Sequence, residues 1–400
     1  MVSAPLETMF VLLFPAQPFT RFGDDTGGAG EFPPSDVQAR LDQLREVETA
    51  LLGRQYLESR RMTRRPIDRV RLPSATDGAA PDHADVFLIT HTSGAGLWEC
   101  WIPAPAQPID ATLYVTWLWP GLNGSPAAVL REHITSASWS VPSQAGKDEG
   151  FAFTILRCPG DQPLLDDLVA EQGGDLVRLL YLDRSSLAFK NAVIEEELRR
   201  DFCLRADGIS LLSPRGALDL RTGEGLATGP GGAPVLPPRS ALPLLITIEL
   251  LLIEREVLRL FHNRLVHTSV PASLPQLLDL KSDVLDGLEE YRGTVAQSNR
   301  FSSQVTAYGE QVLGLDSLYR SLTERLDGLT FEITTRYQRT ISALQFSLTL
   351  VLGALQAASV AALIAAAHYG PRLLPVVSWA AGVGLTAAAA ITVVLRRRLR

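Results

Sequence analysis

The feature that most constrains this chain is a pair of long apolar stretches with no acidic or basic residue. One stretch covers residues 340–371 and the other covers residues 373–395. As a helix rising 1.5 Å per residue, residues 341–367 would extend about 40 Å, and the second stretch about 35 Å. Both lengths exceed the ~30 Å hydrocarbon core of a bilayer. We therefore predict two transmembrane helices, at 341–367 and 373–395, joined by a tight loop.

Basic residues flank this pair of helices on one side. Arg336 and Arg339 precede the first stretch, and Arg396, Arg397, Arg398 and Arg400 follow the second. The positive-inside rule then places both chain ends in the cytoplasm. We expect a multi-pass protein of the inner (cytoplasmic) membrane of the cell. Residues 368–372 join the two helices, and the outer-loop residues among them are Tyr369, Gly370, Pro371 and Arg372.

The charge of the remaining sequence limits the classes of partner. Five of the 37 Lys and Arg residues, and none of the 44 acidic ones, lie in the last 60 residues. The first 340 residues therefore carry a net charge of −12, which argues against a nucleic-acid-binding protein. The three cysteines are widely separated, so they form neither a disulfide framework nor a CxxC metal clip.

The region before the apolar stretches divides at a Gly/Pro-rich segment, which we predict to be a linker at residues 219–240. Residues 1–218 alternate short β-like runs with helical ones, which predicts an α+β cytoplasmic domain with a mostly antiparallel sheet. Helices are predicted at Ser35–Met62 and Ser186–Arg200. The predicted strands are Met9–Phe14, Val86–His91, Gly96–Ile102, Ala111–Trp119, Phe151–Arg157 and Leu176–Leu182.

Residues 241–340 are predicted to form a helical bundle or stalk that leads into the first transmembrane helix. One helical face of this region carries a leucine stripe, with spacings of three and four residues. Within the apolar run 242–253, Glu249 is expected to meet an arginine inside the bundle. The leucine stripe consists of Leu315, Leu318, Leu322, Leu326, Leu329 and Ile333.

The chain offers few candidates for catalysis. His91 with Cys100, and His133 with Cys158, could be nucleophilic pairs, but no local signature supports either one. The arginines at positions 60, 61, 64, 65, 69 and 71 are interpreted as a solvated basic face, with an anionic partner as the alternative. We expect a protein that is not an enzyme and that uses no cofactor or metal.

The first transmembrane helix carries polar residues along one side. At 100° per residue, six residues fall within an arc of about 120°. Glutamine is costly in hydrocarbon unless it faces a partner or water. This polar stripe could line a pore between subunits or hold helices together, and both alternatives imply a homo-oligomer. Its members are Ser342, Gln345, Thr349, Gly353, Gln356 and Ser359.

The last 90 or so residues resemble the CorA family of divalent-cation channels. Tyr369-Gly370 occupies the place of the first two residues of that family's YGMN loop, and Leu374–Val377 and Arg396–Arg398 resemble its second span. The resemblance implies a long helix that enters the first of two C-terminal spans. However, Pro371 and Arg372 replace Met and Asn, and a cationic side chain at the mouth would repel Mg²⁺.

Over its whole length the chain also resembles actinobacterial proteins of the caspase/TPR-repeat-associated (CATRA) conflict-system type. The segments that carry this resemblance are Arg200–Leu220 and Tyr291–Tyr319. It implies a membrane-anchored sensor or effector, with a caspase-like or TPR protein as partner and with no catalytic residue to assign. The alternative is a divergent CorA-like divalent-cation transporter that lacks the GMN loop.

Overall fold

The structure is a computed structural model that divides the chain into two compact units. The first unit comprises residues 1–267 and 283–323, and the second comprises residues 268–282 and 324–400. The residues that the structure describes are 6–16, 35–52, 62–72, 81–91, 94–119, 121–136, 150–158, 163–185, 187–223, 225–228, 234–267, 300–369 and 377–384, together with 275, 278, 279, 282, 386 and 389.

A seven-stranded mixed sheet organises the first unit, in the order β2-β3-β4-β1-β5-β7-β6. All neighbouring pairs are antiparallel except β5 and β7, which are parallel. Two further short strands, β8 and β9, pair with each other. The strands are β1 Leu6–Ala16, β2 Met62–Arg71, β3 His83–His91, β4 Gly96–Gln107, β5 Phe151–Cys158, β6 Gly208–Leu212, β7 Gly216–Thr222, β8 Ala227–Thr228 and β9 Pro234–Leu236.

Helices cover the sheet on both sides, which explains why the central strand β1 is almost continuously apolar. On the first face, Phe10, Leu12 and Phe14 share a core with α2, α3 and α4. On the second face, α6 contacts β1 and β4 and is flanked by α1 and α7. The helices are α1 Ser35–Leu52, α2 Ala111–Leu118, α3 Pro126–Ser136, α4 Pro163–Tyr181, α5 Asn191–Leu198, α6 Leu242–His267, α7 Arg300–Val312 and α8 Leu315–Tyr369.

Four of the six predicted strands are confirmed, as β1, β3, β4 and β5. The other two, Ala111–Trp119 and Leu176–Leu182, are wrong. Residues 111–119 form α2, because Asp110 caps the helix and accepts a hydrogen bond from the Leu113 N–H. Aromatic and β-branched residues gave this segment the appearance of a strand. Residues 176–181 are the last turns of α4, with Leu176 and Leu180 buried in the first-face core, and Leu182 follows the helix.

The first predicted helix ends earlier than expected. Helix α1 stops at Leu52, and Met62 begins β2. The predicted solvated basic face is therefore wrong at Arg64, which is buried on β2. Arg60 and Arg61 lie outside the described residues. A register shift between Pro66 and Asp68 pairs Arg64 with Ile89 and Arg69 with Asp85. Both arginines consequently face the second side of the sheet, although they are five positions apart and would lie on opposite sides of a regular strand.

The predicted linker and domain boundary also differ from the structure. Residues 219–222 complete β7, and β8 and β9 lie within the rest of the segment, where Leu226 is buried. Helices α6 and α7 belong to the same unit as the sheet, so residues 241–340 do not form a separate bundle. The reason is that α6 is apolar nearly all round and buries itself against the sheet.

Helix α8 is 55 residues long, or about 80 Å. The leucine stripe lies in its first third. Leu315, Leu322 and Leu326 are buried within the chain, and Leu318, Leu329 and Ile333 are half-buried. The buried part of this stripe is therefore already packed in a single copy.

Candidate functional site

The second half of α8 combines apolar composition with exposure to solvent. Its most apolar 18-residue window has a mean hydropathy of 2.1, and only 6% of that window is buried. Leu355 is 60% exposed and Leu363 is 71% exposed. A core helix of a soluble protein of this hydropathy would be mostly buried. Within the described residues, α8 is the one helix that is long and apolar enough to cross a membrane.

The polar stripe lies on the exposed part of this segment. All six of its members are exposed to solvent in the single chain. The Thr349 hydroxyl donates to the Gln345 carbonyl oxygen at 2.8 Å, and the Ser359 hydroxyl donates to the Leu355 carbonyl oxygen at 2.8 Å. The hydroxyls are thus satisfied by their own helix. Among the described residues, no hydrogen-bond partner contacts the side-chain amides of Gln345 and Gln356.

The opposite side of the same helix is the one that packs within the chain. Six residues on it are less exposed than their neighbours and recur at spacings of three and four. Measured from Gln345, they centre near 180°, whereas the polar stripe centres near 30°. The glutamines therefore point away from the intrachain contact. The packed residues are Ser347, Leu350, Ala354, Ala358, Ala361 and Ala365.

The rest of the predicted hairpin lies largely beyond what the structure describes. Tyr369 ends α8, and Gly370, Pro371 and Arg372 lie outside the described residues. Within the second predicted span, residues 377–384 are helical, and Val377 and Trp379 are more than half exposed. What the structure gives is one long apolar helix preceded by a sheet domain, and not a two-helix hairpin.

The structure separates His91 from Cys100 and gives His133 another partner. Cys100 pairs with Val86 in the sheet register and lies in the first-face core. His91 is five residues beyond Val86, so it points to the second face. Burial also raises the pKa of the Cys100 and Cys158 thiols, which disfavours the reactive thiolate. His133 instead lies 3.3 Å from the Asp68 carboxylate. Among the described residues, no group of three His, Cys, Asp or Glu side chains could hold a metal.

The second face buries a charged cluster that the sequence only partly indicated. The Arg64 guanidinium contacts Glu99, lies 2.6 Å from a Glu249 oxygen and lies 3.1 Å from a Glu48 oxygen. The Trp101 indole N–H donates to Glu99 at 2.6 Å. Glu249 does meet an arginine, as expected, but this arginine lies on β2 of the sheet and not inside a helical bundle. These five residues, which we call the Arg64 cluster, join β2, β4, α1 and α6.

The Arg64 cluster contains three carboxylates and one guanidinium, and all of its side chains are nearly or fully buried. Burial raises the pKa of Glu249 to about 7, although the neighbouring Arg64 opposes that rise. Proton uptake by Glu249 near neutral pH therefore removes one buried negative charge. The arrangement holds α6 onto the sheet.

A second buried ion pair lies on the same face at the other end of the sheet. The fully buried Arg157 guanidinium donates to an Asp219 carboxylate oxygen at 2.7 Å and to the Ser240 hydroxyl at 3.0 Å. The Ser210 hydroxyl donates to the other Asp219 oxygen at 2.7 Å. These bonds link β5, β6 and β7 to Ser240, two residues before α6, so this ion pair is structural.

Comparison of the chain with protein-family models, with curated proteins and with solved structures finds no match. The site must therefore be interpreted from its own geometry. That geometry comprises an exposed apolar helix with a polar stripe on one side and an alanine-rich packed side opposite.

Proposed function

We propose that the chain is a membrane-anchored, non-enzymatic sensor or effector of a bacterial conflict or defence system that acts with a caspase-like protease. The observation that carries the membrane part is the exposed apolar segment of α8. The resemblance of Arg200–Leu220 and Tyr291–Tyr319 to CATRA-type proteins supports the conflict-system part. A caspase-like or TPR protein is the proposed partner.

In this proposal, residues 341–367 and 373–395 form a hairpin across the inner membrane, with both chain ends in the cytoplasm. The sheet domain then lies on the side where a cytoplasmic protease could reach it. Arg336 and Arg339 before the first span, and the terminal arginines after the second, support this orientation.

The polar stripe is proposed to meet other copies of the chain or a water-filled lumen between them. The alanine-rich side of α8 already packs within the chain, so the glutamines on the opposite side remain available. Gln345 and Gln356 are eleven residues apart, which places them about 16 Å apart along the helix and within about 20° in direction. Two amides aligned in this way suit contacts between parallel helices or with a file of water.

The test is a double substitution, Gln345→Leu with Gln356→Leu, in protein reconstituted into liposomes. A stripe that lines a lumen predicts loss of conductance with unchanged assembly. A stripe that bonds helices predicts weaker assembly, by about 0.6 kcal/mol or somewhat more per lost bond. The matched control adds Leu344→Gln and Leu355→Gln to the double variant. This control restores the amino-acid composition but turns the amide pair by about 100° around the helix. It should not restore the conductance or the assembly that the double variant loses. Wild-type conductance and assembly in the double variant would contradict a role for the stripe.

A divergent CorA-like cation transporter is the second candidate, because Tyr369-Gly370 and the layout of the C-terminal region resemble that family. Arg372 disfavours divalent cations at the proposed mouth. On the first proposal, Arg372→Asn should raise Mg²⁺ passage above that of the wild type. Mg²⁺ uptake by the unmodified chain that rescues a transport-deficient strain would instead favour the transporter.

A further inference from the structure

One surface cluster in the first unit has no part in the proposed membrane function. Trp119, which follows α2, is half-buried and has two arginine side chains over its indole ring. The Arg184 guanidinium carbon lies 5.4 Å from the ring centroid, and that of Arg215 lies 5.3 Å from it. We call these three residues the Trp119 cluster. They come from three separate segments, so the fold and not local sequence brings them together.

The backbone under Arg215 is tightly held. Arg215 lies in the turn between β6 and β7, where the Ser213 hydroxyl accepts hydrogen bonds from the N–H groups of Arg215 and Gly216. The same hydroxyl lies 2.6 Å from the Leu180 carbonyl oxygen at the end of α4. A Cβ atom on Gly216 would come within 2.9 Å of two backbone carbonyl oxygens. The turn is therefore fixed against α4, and Arg215 projects from a rigid position.

The backbone under Arg184 is fixed by the end of α4. The Asp183 N–H donates to the Arg178 carbonyl, and the Leu182 N–H donates to that of Leu179, which together form a Schellman motif. Leu182 takes the left-handed position of this motif, with φ +49°, where glycine is usual. Its buried side chain compensates a conformational cost of about 1–2 kcal/mol.

The charges of the Trp119 cluster are not neutralised among the described residues. Asp183 is the nearest acid in sequence to Arg184, and its carboxylate is engaged by the N–H and hydroxyl of Ser185. The Ser185 hydrogen bonds hold the pKa of Asp183 below its ordinary value. By contrast, five other arginines of this region each have a carboxylate within 4 Å. They are Arg178, Arg199, Arg200, Arg205 and Arg221.

We propose that the Trp119 cluster binds a phosphate group of a small molecule. Two guanidinium carbons within 5.4 Å of one ring centroid are at most about 11 Å apart, a span that a diphosphate with its flanking groups can bridge. Arginine binds phosphate through paired N–H donors. The phosphate could belong to a soluble nucleotide or to a lipid headgroup, which have this chemistry in common.

The test uses the full chain in detergent micelles and isothermal titration at low salt. One arm titrates pyrophosphate and ATP, and the other titrates monomeric dihexanoyl phosphatidic acid. We expect binding in at least one arm, weakened at least tenfold by Arg184→Gln with Arg215→Gln. Replacement of both arginines by lysine should weaken it less, because the charge remains but the paired donors are lost. The arm that binds identifies the source of the phosphate.

Arg199→Gln is the matched control, because Arg199 is an exposed arginine of the same unit that already pairs with Glu196. It should bind the probes as the wild type does. Because the substituted arginines are exposed, the far-ultraviolet circular dichroism spectrum should be unchanged in every variant. Absence of binding in both arms, or equal affinity in the wild type and the double glutamine variant, would overturn the proposal.

Discussion

Two apolar helices of this chain have similar composition and opposite surroundings. In α6, residues from Leu244 to Ile253 are almost completely buried, and the Glu249 carboxylate is paired with Arg64. In the second half of α8, comparable leucines are more than half exposed. Hydropathy alone would class both segments together. The difference teaches that α6 obtains its apolar surroundings from the sheet, whereas the apolar residues in the second half of α8 stay exposed within the chain.

The largest expected effect is on the attachment of α6. Arg64→Met would leave Glu48, Glu99 and Glu249 buried without their guanidinium. Removing one partner of a buried ion pair costs about 3–5 kcal/mol. Denaturant unfolding of the detergent-solubilised chain, followed by tryptophan fluorescence, measures this loss. The control is Arg71→Met, an exposed arginine on the same strand, and it should cost less than about 0.5 kcal/mol. Equal stability of the two variants would contradict the role given to the Arg64 cluster.

One Leu→Ala substitution in each helix tests whether its leucines are buried within the protein. Leu251→Ala in α6 empties a fully buried site and should cost about 2–5 kcal/mol of unfolding free energy. Leu355→Ala in α8, at a residue 60% exposed in the chain, should change the same quantity by less than about 0.5 kcal/mol. A similar loss of stability in both variants would mean that α8 is buried within its own protein.

A smaller effect is expected from pH. Glu249 has a pKa of about 7 when folded and near 4.5 when unfolded, so the folded chain binds more protons between these values. The contribution of Glu249 to the unfolding free energy should therefore be largest below about pH 4.5 and should fall as the pH rises to about 7. The loss is at most about 3 kcal/mol.

Glu249→Gln should flatten this pH dependence, because the amide oxygen can still accept from Arg64 but does not titrate. Glu256→Gln is the control on the same helix, since Glu256 already pairs with Arg255 and Arg259. It should retain the wild-type slope in unfolding experiments at pH 5, 6 and 7. An unaltered slope in the Glu249 variant would show that another group titrates.

Features of the fold that depend on neighbouring residues could be predicted from the sequence, whereas features that depend on residues far apart in the chain could not. The long apolar helix and the burial of β1 follow from local composition, which accumulates over many residues. Helix α2 was missed because its aromatic and β-branched residues favour a strand, while one capping residue, Asp110, favours the helix. Asp110, a preferred N-cap residue directly before this segment, is the sequence signal that indicates the helix.

The charged sites could be predicted less well, because their geometry is non-local. Arg64 and Glu249 are 185 residues apart in sequence, and a single register shift in β2 directs Arg64 to the buried face. The sequence indicated that Glu249 needs a partner but not which one. The Trp119 cluster could not be predicted, because nothing in the local sequence distinguishes Arg184 and Arg215 from other exposed arginines. The fold brings both to the Trp119 ring, from the ends of α4 and β6.

The central claim is that the exposed apolar segment of α8 lies in lipid. The most direct measurement is maleimide labelling of intact membranes with single cysteines at two exposed positions of α8, Leu355→Cys and Phe331→Cys. A Cys203→Ser background removes the one partly exposed native thiol, since Cys100 and Cys158 are buried. The account predicts rapid labelling at position 331 and none at position 355 until detergent is added. Equal labelling at both positions in intact membranes would contradict it.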